Sequence, residues 1–274
     1  MRLLSDYFLC FVAVLGLSLT SCNNKENKKQ DLVVKTNSGK VSGILNDNVF
    51  AYKGIPYAKA GRFMPPQNPD AWDEVRECKD FGPVARQTAP WYPDSAQNER
   101  ELFTVNIWTR GINDGKKRPV MLWLHGGGFF IGASNDPMTY GEALSRKGDV
   151  VVVSVNHRLN ILGFLDLSEL GDEYAKSANV GMLDIVKSLE WIQNNIENFG
   201  GNPSDVTIVG ESGGGGKVGT LMCMPSAKGL FHKAIIQSGT LINTMTKEKS
   251  QKLGLAVLDT LGISPENVKK LDTI

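Results

Sequence analysis

A serine hydroxyl is a poor nucleophile until a base takes its proton and a turn lifts its oxygen towards substrate. Gly210-Glu211-Ser212-Gly213-Gly214 has the spacing for such a turn, since it follows the apolar run Val206-Thr207-Ile208-Val209 and precedes a helical stretch. Glycine at positions 210 and 214 removes Cβ atoms that would collide across a tight strand-to-helix turn, and the N–H groups of a helix start point at the seryl oxygen. A second glycine cluster, His125-Gly126-Gly127-Gly128-Phe129, closes another apolar run, Val120 to Leu124. Acyl transfer passes through a tetrahedral oxyanion that needs N–H donors, and glycine lets a backbone turn its amides inward without obstruction. Two such clusters at two strand ends point to acyl transfer through Ser212.

Competing chemistries fit less well. Gly214-Gly215-Gly216-Lys217-Val218-Gly219 satisfies G-x-G-x-x-G, but a dinucleotide site also needs an acid at the end of the next strand to hold a ribose hydroxyl. The run through Ala234-Ile235-Ile236 ends instead in Gln237-Ser238-Gly239. The three histidines, His125, His157 and His232, have no metal-ligand spacing, so neither a metal nor another cofactor is expected. A Ser–acid–His chain order leaves only His232 after Ser212, and it sits just before a strand, where it reads as a packing residue.

The elements that must position these clusters read as an α/β pattern. Short β-prone runs at Val33-Val34, Val41 to Leu45 and Val49 to Tyr52 suggest small antiparallel strands, and the proline-rich and aromatic-rich stretch 54–98 reads as a long ordered loop region. Beyond it, apolar runs at Leu102 to Trp108, Val120 to Leu124, Val150 to Val155, Val206 to Val209 and Ala234 to Ile236 alternate with helical stretches. Those stretches lie near Thr139 to Lys147, Asn179 to Asn198, Val218 to Met224 and Lys247 to Leu261. Nearly continuous apolar strands separated by helices predict a mostly parallel sheet with helices on both faces, and ligands bind such sheets at the strand carboxyl ends.

At the N-terminus Arg2 precedes a 13-residue apolar stretch, Tyr7 to Leu19, too short to span a bilayer but suited to a signal-peptide core. It ends in Leu19-Thr20-Ser21-Cys22, which resembles the lipobox of bacterial lipoproteins, in which Cys22 would be lipidated; the alternative is a plain secretory signal with an incidental cysteine. Residues 22–31 are polar and read as a tether, so the division is a signal peptide over 1–21, a tether over 22–31 and a catalytic-type domain over 32–274. This implies an exported protein held at the periplasmic or cell-surface face of a membrane through Cys22 alone. Apart from Cys10 and Cys22, only Cys78 and Cys223 remain, and two lone buried thiols are expected more than a disulfide. The 274 residues carry 30 basic and 29 acidic side chains, a net charge of +1, with no long cationic run to bind nucleic acid. The 41% hydrophobic and 22% charged composition excludes a disordered or collagenous chain.

With both motifs in place, the chain resembles the type-B carboxylesterase/lipase family of α/β-hydrolases from about Val41 to Gly239. Lys53-Gly54-Ile55-Pro56-Tyr57-Ala58, Asn156-His157-Arg158-Leu159, Asn179-Val180-Gly181-Met182-Leu183-Asp184 and Phe199-Gly200-Gly201-Asn202-Pro203 all look like its signature stretches. The resemblance implies Ser212 as nucleophile, oxyanion donors at Gly127, Gly128 and Gly213, and a small-molecule ester as substrate. It also implies Glu211 as an acid lining the site, although a solvated structural carboxylate reads equally well there. The chain departs from the family at Ala85 and Leu102, which stand where a cysteine pair is common, at Asn160 in place of glycine, and at Lys217 in place of a small residue. Lys217 is expected either to disturb the helix start or to lie against solvent.

The family's acid and base follow later strands, so the expectation is a fold cut off after the strand that follows the nucleophile helix. The 274-residue chain would then be an incomplete catalyst with an unpaired apolar edge. The rival reading is a catalytically dead binding or adhesion module on the same scaffold. Neither oligomeric state nor acyl and alcohol preference can be read from these residues.

Overall fold

The computed structural model describes residues 32–239 and 243–273; the leader, the tether and Cys22 lie outside the described residues. Three short strands, β1 (Val33–Lys35), β2 (Lys40–Ser42) and β5 (Arg76–Glu77), form a small sheet. The principal sheet has seven strands, numbered with these in chain order: β3 (Ile44–Asn46), β4 (Val49–Pro56), β6 (Thr104–Thr109), β7 (Arg118–Leu124), β8 (Val151–Val155), β9 (Gly201–Glu211) and β10 (Lys233–Gln237). Their spatial order is β10-β9-β7-β8-β6-β4-β3. The helices are α1 (Glu142–Gly148), α2 (Asn160–Phe164), α3 (Val180–Asn195), α4 (Gly213–Cys223) and α5 (Lys247–Thr260).

Strand direction divides this sheet in half. β10, β9, β7 and β8 run parallel, whereas β8–β6, β6–β4 and β4–β3 pair antiparallel. The expected parallel arrangement therefore holds for the half that carries the glycine clusters. β6 is buried at all six positions, so its composition matches that of a parallel strand although its direction is opposite. Burial on both faces selects apolar residues and says nothing about direction.

The core follows from that double burial. Val105, Ile107, Leu122, Leu124, Val153 and Ile208 are sealed between the sheet and α3, whose Ile185, Leu189 and Ile192 face them. A second apolar cluster joins Leu165, Leu167 and Tyr174 to Leu258, Val268 and Leu271. The C-terminal segment is thus docked through its apolar residues, while Asp259, Glu266 and Asp272 are among its many exposed side chains. α5 lies so close that a Cβ on Gly254 would fall 2.0 Å from the Asp166 carbonyl oxygen.

Two local expectations change. α4 begins at Gly213, five residues before the expected Val218, because tertiary packing holds a glycine run that has little helix propensity of its own. Of the two thiols, Cys78 is buried as expected but Cys223 is exposed, and both are free. β10 occupies a sheet edge with all five residues exposed, including the apolar Ile235 and Ile236, in agreement with the expected apolar edge.

Candidate active site

Both glycine clusters sit at carboxyl ends of neighbouring parallel strands, β7 and β9. Ser212 lies between β9 and α4 with φ 52° and ψ −121°, a left-handed conformation that a non-glycine residue adopts only at a cost of about 1–3 kcal/mol. Its N–H donates to the Gln237 carbonyl at 2.9 Å and its own carbonyl accepts from Gly216 N at 3.1 Å, so the turn is pinned from both sides. The two outer glycines are required sterically. A Cβ on Gly210 would lie 2.3 Å from the Gly214 carbonyl carbon, and one on Gly214 would lie 2.0 Å from the Leu124 oxygen. The Ser212 side chain is exposed. The alternative dinucleotide motif is absorbed into this helix, where Gly214, Gly215 and Gly216 are buried and their amides do not form a phosphate-facing loop.

The loop after β7 lies against this turn. Gly127, Gly128 and Phe129 take φ values of 91°, 60° and 68°, and Gly127 offers its carbonyl to Phe130 N and Ile131 N. The N–H groups of Gly127 and Gly128 have no acceptor among the described residues. A Cβ on Gly213 would fall 2.4 Å from Gly128 N, and one on Gly126 would fall 3.6 Å from Ser212 Cβ. These distances bring Gly128, Gly213 and Ser212 together, so unpaired amide donors and a seryl hydroxyl share one corner. Such an array can hold a developing negative charge beside the nucleophile.

Neighbouring side chains hold the corner. Gln87 accepts from Gly132 N at 2.8 Å and donates to Gly132 O at 3.1 Å, fixing the far end of the glycine loop. Gln97 in turn accepts from Gln87 N and donates to Gln87 O. This amide pair staples the 85–102 loop, whose ends Ala85 and Leu102 are packed in the core, in the place where the resembling family uses cysteines. Asn160 adopts φ 50°, the left-handed conformation expected from its replacement of glycine, and its N–H donates to Phe129 O at 2.8 Å. Beside the loop a cleft of about 190 Å³ is lined by Trp91, Trp123, Gly127, Met138 and Glu211. Glu211 is therefore at the cleft, with its Oε2 3.3 Å from where a Gly126 Cβ would stand. A larger cavity of about 380 Å³ between the 59–64 segment and Leu162 is lined by neither Ser212 nor the glycine loop.

None of the three histidines hydrogen-bonds to Ser212 among the described residues. His232 Nδ1 accepts from Val206 N at 3.1 Å, at the middle of β9 and six residues before Ser212. His125 and His157 are buried and stacked, their ring centroids 4.9 Å apart. Each places Nδ1 2.8 Å from a backbone carbonyl, Gly126 O and Arg158 O respectively. A carbonyl only accepts, so Nδ1 carries the proton in both rings, and neither Nε2 has a partner among the described residues. Burial pushes both imidazoles well below the ordinary histidine range, with the Lys217 charge adding to the shift.

Lys217 neither disturbs the helix start nor reaches solvent. It is fully buried, donates from Nζ to the His125 carbonyl at 2.8 Å and lies 5.5 Å from the Phe129 ring centroid. Nothing in its sequence spacing signals this placement, and Gln87, Gln97 and His157 are equally silent. Their neighbours come from strands and loops far away in the chain.

A strained seryl turn after a parallel strand, facing a glycine loop from the adjacent strand, defines an α/β-hydrolase fold, and the solved structures agree. A carboxylesterase of Geobacillus stearothermophilus superposes with a TM-score of 0.84 at 44% identity, covering 89% of this chain and 51% of its own. An esterase of Clostridium hathewayi, described as able to hydrolyse aliphatic aromatic polyesters, superposes with a TM-score of 0.82 at 42% identity over 89% and 51%. The chain belongs to the carboxylesterase family, whose sequence profile matches residues 30–272. Among curated relatives, the para-nitrobenzyl esterase of Bacillus subtilis is 39% identical over 88% of this chain and 50% of its own length. Carboxylesterase 1C of Mus musculus is 36% identical over 91% and 48%. The chain thus spans about half the length of the curated relatives it matches.

Proposed function

We propose that this chain carries the nucleophile and oxyanion elements of a serine carboxylesterase. Ser212 Oγ attacks the ester carbonyl carbon while a general base takes its proton, giving a tetrahedral intermediate whose oxyanion accepts hydrogen bonds from Gly127, Gly128 and Gly213 N–H. Collapse expels the alcohol, which gains a proton, and leaves an acyl-Ser212 that water hydrolyses to the free acid. No cofactor enters this sequence of steps. The observation that carries the reading is the meeting of the unpaired Gly128 amide, next in chain to the unpaired Gly127 amide, with Gly213 and the strained Ser212 turn.

Small-molecule esters are the substrates, by analogy with relatives named for para-nitrobenzyl esters and phenmedipham. The base is a histidine other than the three in this sequence, because His232 is bound to Val206 N at the middle of β9 and His125 and His157 are bound to backbone carbonyls. Alone, the 274-residue chain is accordingly an inefficient catalyst, since triad members act as a unit. Export through the 1–21 leader, lipidation at Cys22 and a tether over 22–31 would place the domain beside a membrane; Cys22→Ala should release it from membrane fractions.

The lack of a histidine bonded to Ser212 is the one observation that favours a binding module on the same scaffold. A fluorophosphonate probe separates the two readings. The esterase reading expects Ser212-dependent labelling that is lost in Ser212→Ala, and absence of labelling in a polypeptide that also supplies the family's later strands would overturn it.

A further inference from the structure

Lys217 is the residue for which neither the core nor the proposed reaction steps account. An ammonium group withdrawn completely from water is costly unless paired, and the buried guanidinium groups are met by carboxylates, Arg118 by Asp114 and Asp149 and Arg158 by Asp184 at 2.6 Å. Lys217 has no such partner. Its Nζ meets neutral electron-rich groups, the His125 carbonyl at 2.8 Å and the face of Phe129, and its charge opposes protonation of the His125 and His157 imidazoles. Both unpartnered Nε2 atoms are lone pairs, since Nδ1 holds the ring proton, and lone pairs suit a neighbouring ammonium.

The geometry points to Lys217 as a positioning residue for the glycine loop, holding the loop's first carbonyl in place and setting a buried positive charge behind the Gly127 and Gly128 amides. This inference rests on the reading of those amides as oxyanion donors. Three consecutive glycines have no side chains to fix them, and the loop's other ties lie beyond its first carbonyl, at Gly126 O through the His125 ring, at Gly127 O, at Phe129 O through Asn160 N–H and at Gly132 through Gln87. Lys217 supplies the tie at the start. It also stands five residues after Ser212 on the helix that Ser212 begins, so one side chain links the nucleophile's helix to the donor loop. A positive charge in a dry interior strengthens the attraction of nearby N–H groups for an anion, because little solvent screens it.

The titratable and charged groups on the elements around it are His125 after β7, His157 after β8, Arg158 beyond His157 with its partner Asp184 on α3, and Glu211 beside Gly126, but desolvation by burial is what moves its pKa. Burial with no adjoining carboxylate lowers the Lys217 pKa to about 7. The charge behind the loop is then present in acid and lost as pH rises through neutrality.

The test is NMR on the whole 274-residue chain, carrying 13C-labelled lysine and 15N-labelled glycine, between pH 5.5 and 10. One lysine Cε should titrate near pH 7, disappear in Lys217→Met, and share its midpoint with the Gly127 and Gly128 amide shifts. In Lys217→Met the shifts of those two amides should lose their pH dependence near neutrality, while amides of β6 stay unchanged. A Lys217 that titrates only near the ordinary value of about 10.4, or glycine amides that ignore its titration, would overturn the inference. The wild-type titration needs no variant to fold, and Lys217→Gln supplies the assignment if Lys217→Met does not. Where hydrolysis of p-nitrophenyl acetate is measurable, Lys217→Met should lower kcat about tenfold at pH 6 with KM unchanged, the deficit shrinking as pH rises. Failure of Ser212 to react with any ester or fluorophosphonate counts against the proposed function, whereas the NMR shifts decide for or against Lys217 independently.

Discussion

Two of the regions that bury a cation satisfy it in opposite ways. Beneath the loops that follow β8, Arg158 is bound by Asp184 through two side-chain hydrogen bonds, at 2.8 and 2.6 Å, while its backbone N–H donates to the same carboxylate at 3.0 Å. At the candidate active site, Lys217 Nζ has one carbonyl and an aromatic face, with no carboxylate, and its charge acts on two buried imidazoles. The first region is built for order, with each charge answered. The second leaves a charge and two imidazole nitrogens uncompensated, next to four residues of positive φ: Gly127, Gly128, Phe129 and Ser212. Unsatisfied charge and backbone strain gather where chemistry is expected, and the stability they cost is supplied by the rest of the fold.

The contrast predicts opposite signs for removing one group from each region. Asp184→Ala leaves the Arg158 guanidinium buried and unpaired, so it should lower unfolding stability by about 3–5 kcal/mol, read from urea denaturation. A loss below 1 kcal/mol would mean that the Arg158 pair is not the ordered region described here. Lys217→Met removes an unpaired charge while nearly preserving volume, and should raise stability by about 1–4 kcal/mol. The sign also depends on pH. Between the folded pKa of about 7 and the unfolded value of about 10.4, the unfolded state holds one more proton, so wild-type stability rises with pH and the variant's advantage shrinks. An advantage that grows above pH 8 would contradict the uncompensated charge.

Acid should act on the same corner. His125 and His157 are neutral when folded, and unfolding frees them to take up protons below their ordinary pKa of about 6.5. Their contribution is therefore present above about pH 6.5 and lost as pH falls, at up to about 1.4 kcal/mol per pH unit for each ring. Thermal melts at pH 7 and pH 5 measure this, and a His157→Gln variant should show a shallower dependence.

The smallest expected effect concerns the loop itself. Gly128→Ala meets no atom closer than Phe130 Cδ2 at 3.7 Å, so it carries only the strain of a positive φ, about 1 kcal/mol. Gly127→Val is a poorer probe of oxyanion binding, since its Cβ would strike the Ile131 carbonyl oxygen at 2.1 Å and deform the loop before reaching any substrate. Comparable stability losses for the two variants would break the distinction between a filled and an open side of the loop.

What the sequence determined by itself was local. A turn in which Gly210 and Gly214 would collide if either had a Cβ, a left-handed Asn160, and strands buried on both faces at β6 and β8 all follow from a few adjacent residues and the sterics they allow. The expected parallel pairing was right for β7 to β10 and silent about the reversal at β6, because apolar composition records burial and carries no direction. Tertiary structure alone decided where Lys217 goes. A lysine in a helix reads as a solvated charge, and only the approach of β7 and its following loop, bringing the His125 carbonyl and the Phe129 ring to its Nζ, makes burial tolerable. The Gln87–Gln97 staple depends in the same way on contacts between segments that no short pattern encodes. Side chains whose energy depends on chain-distant neighbours are legible only once those neighbours are in place.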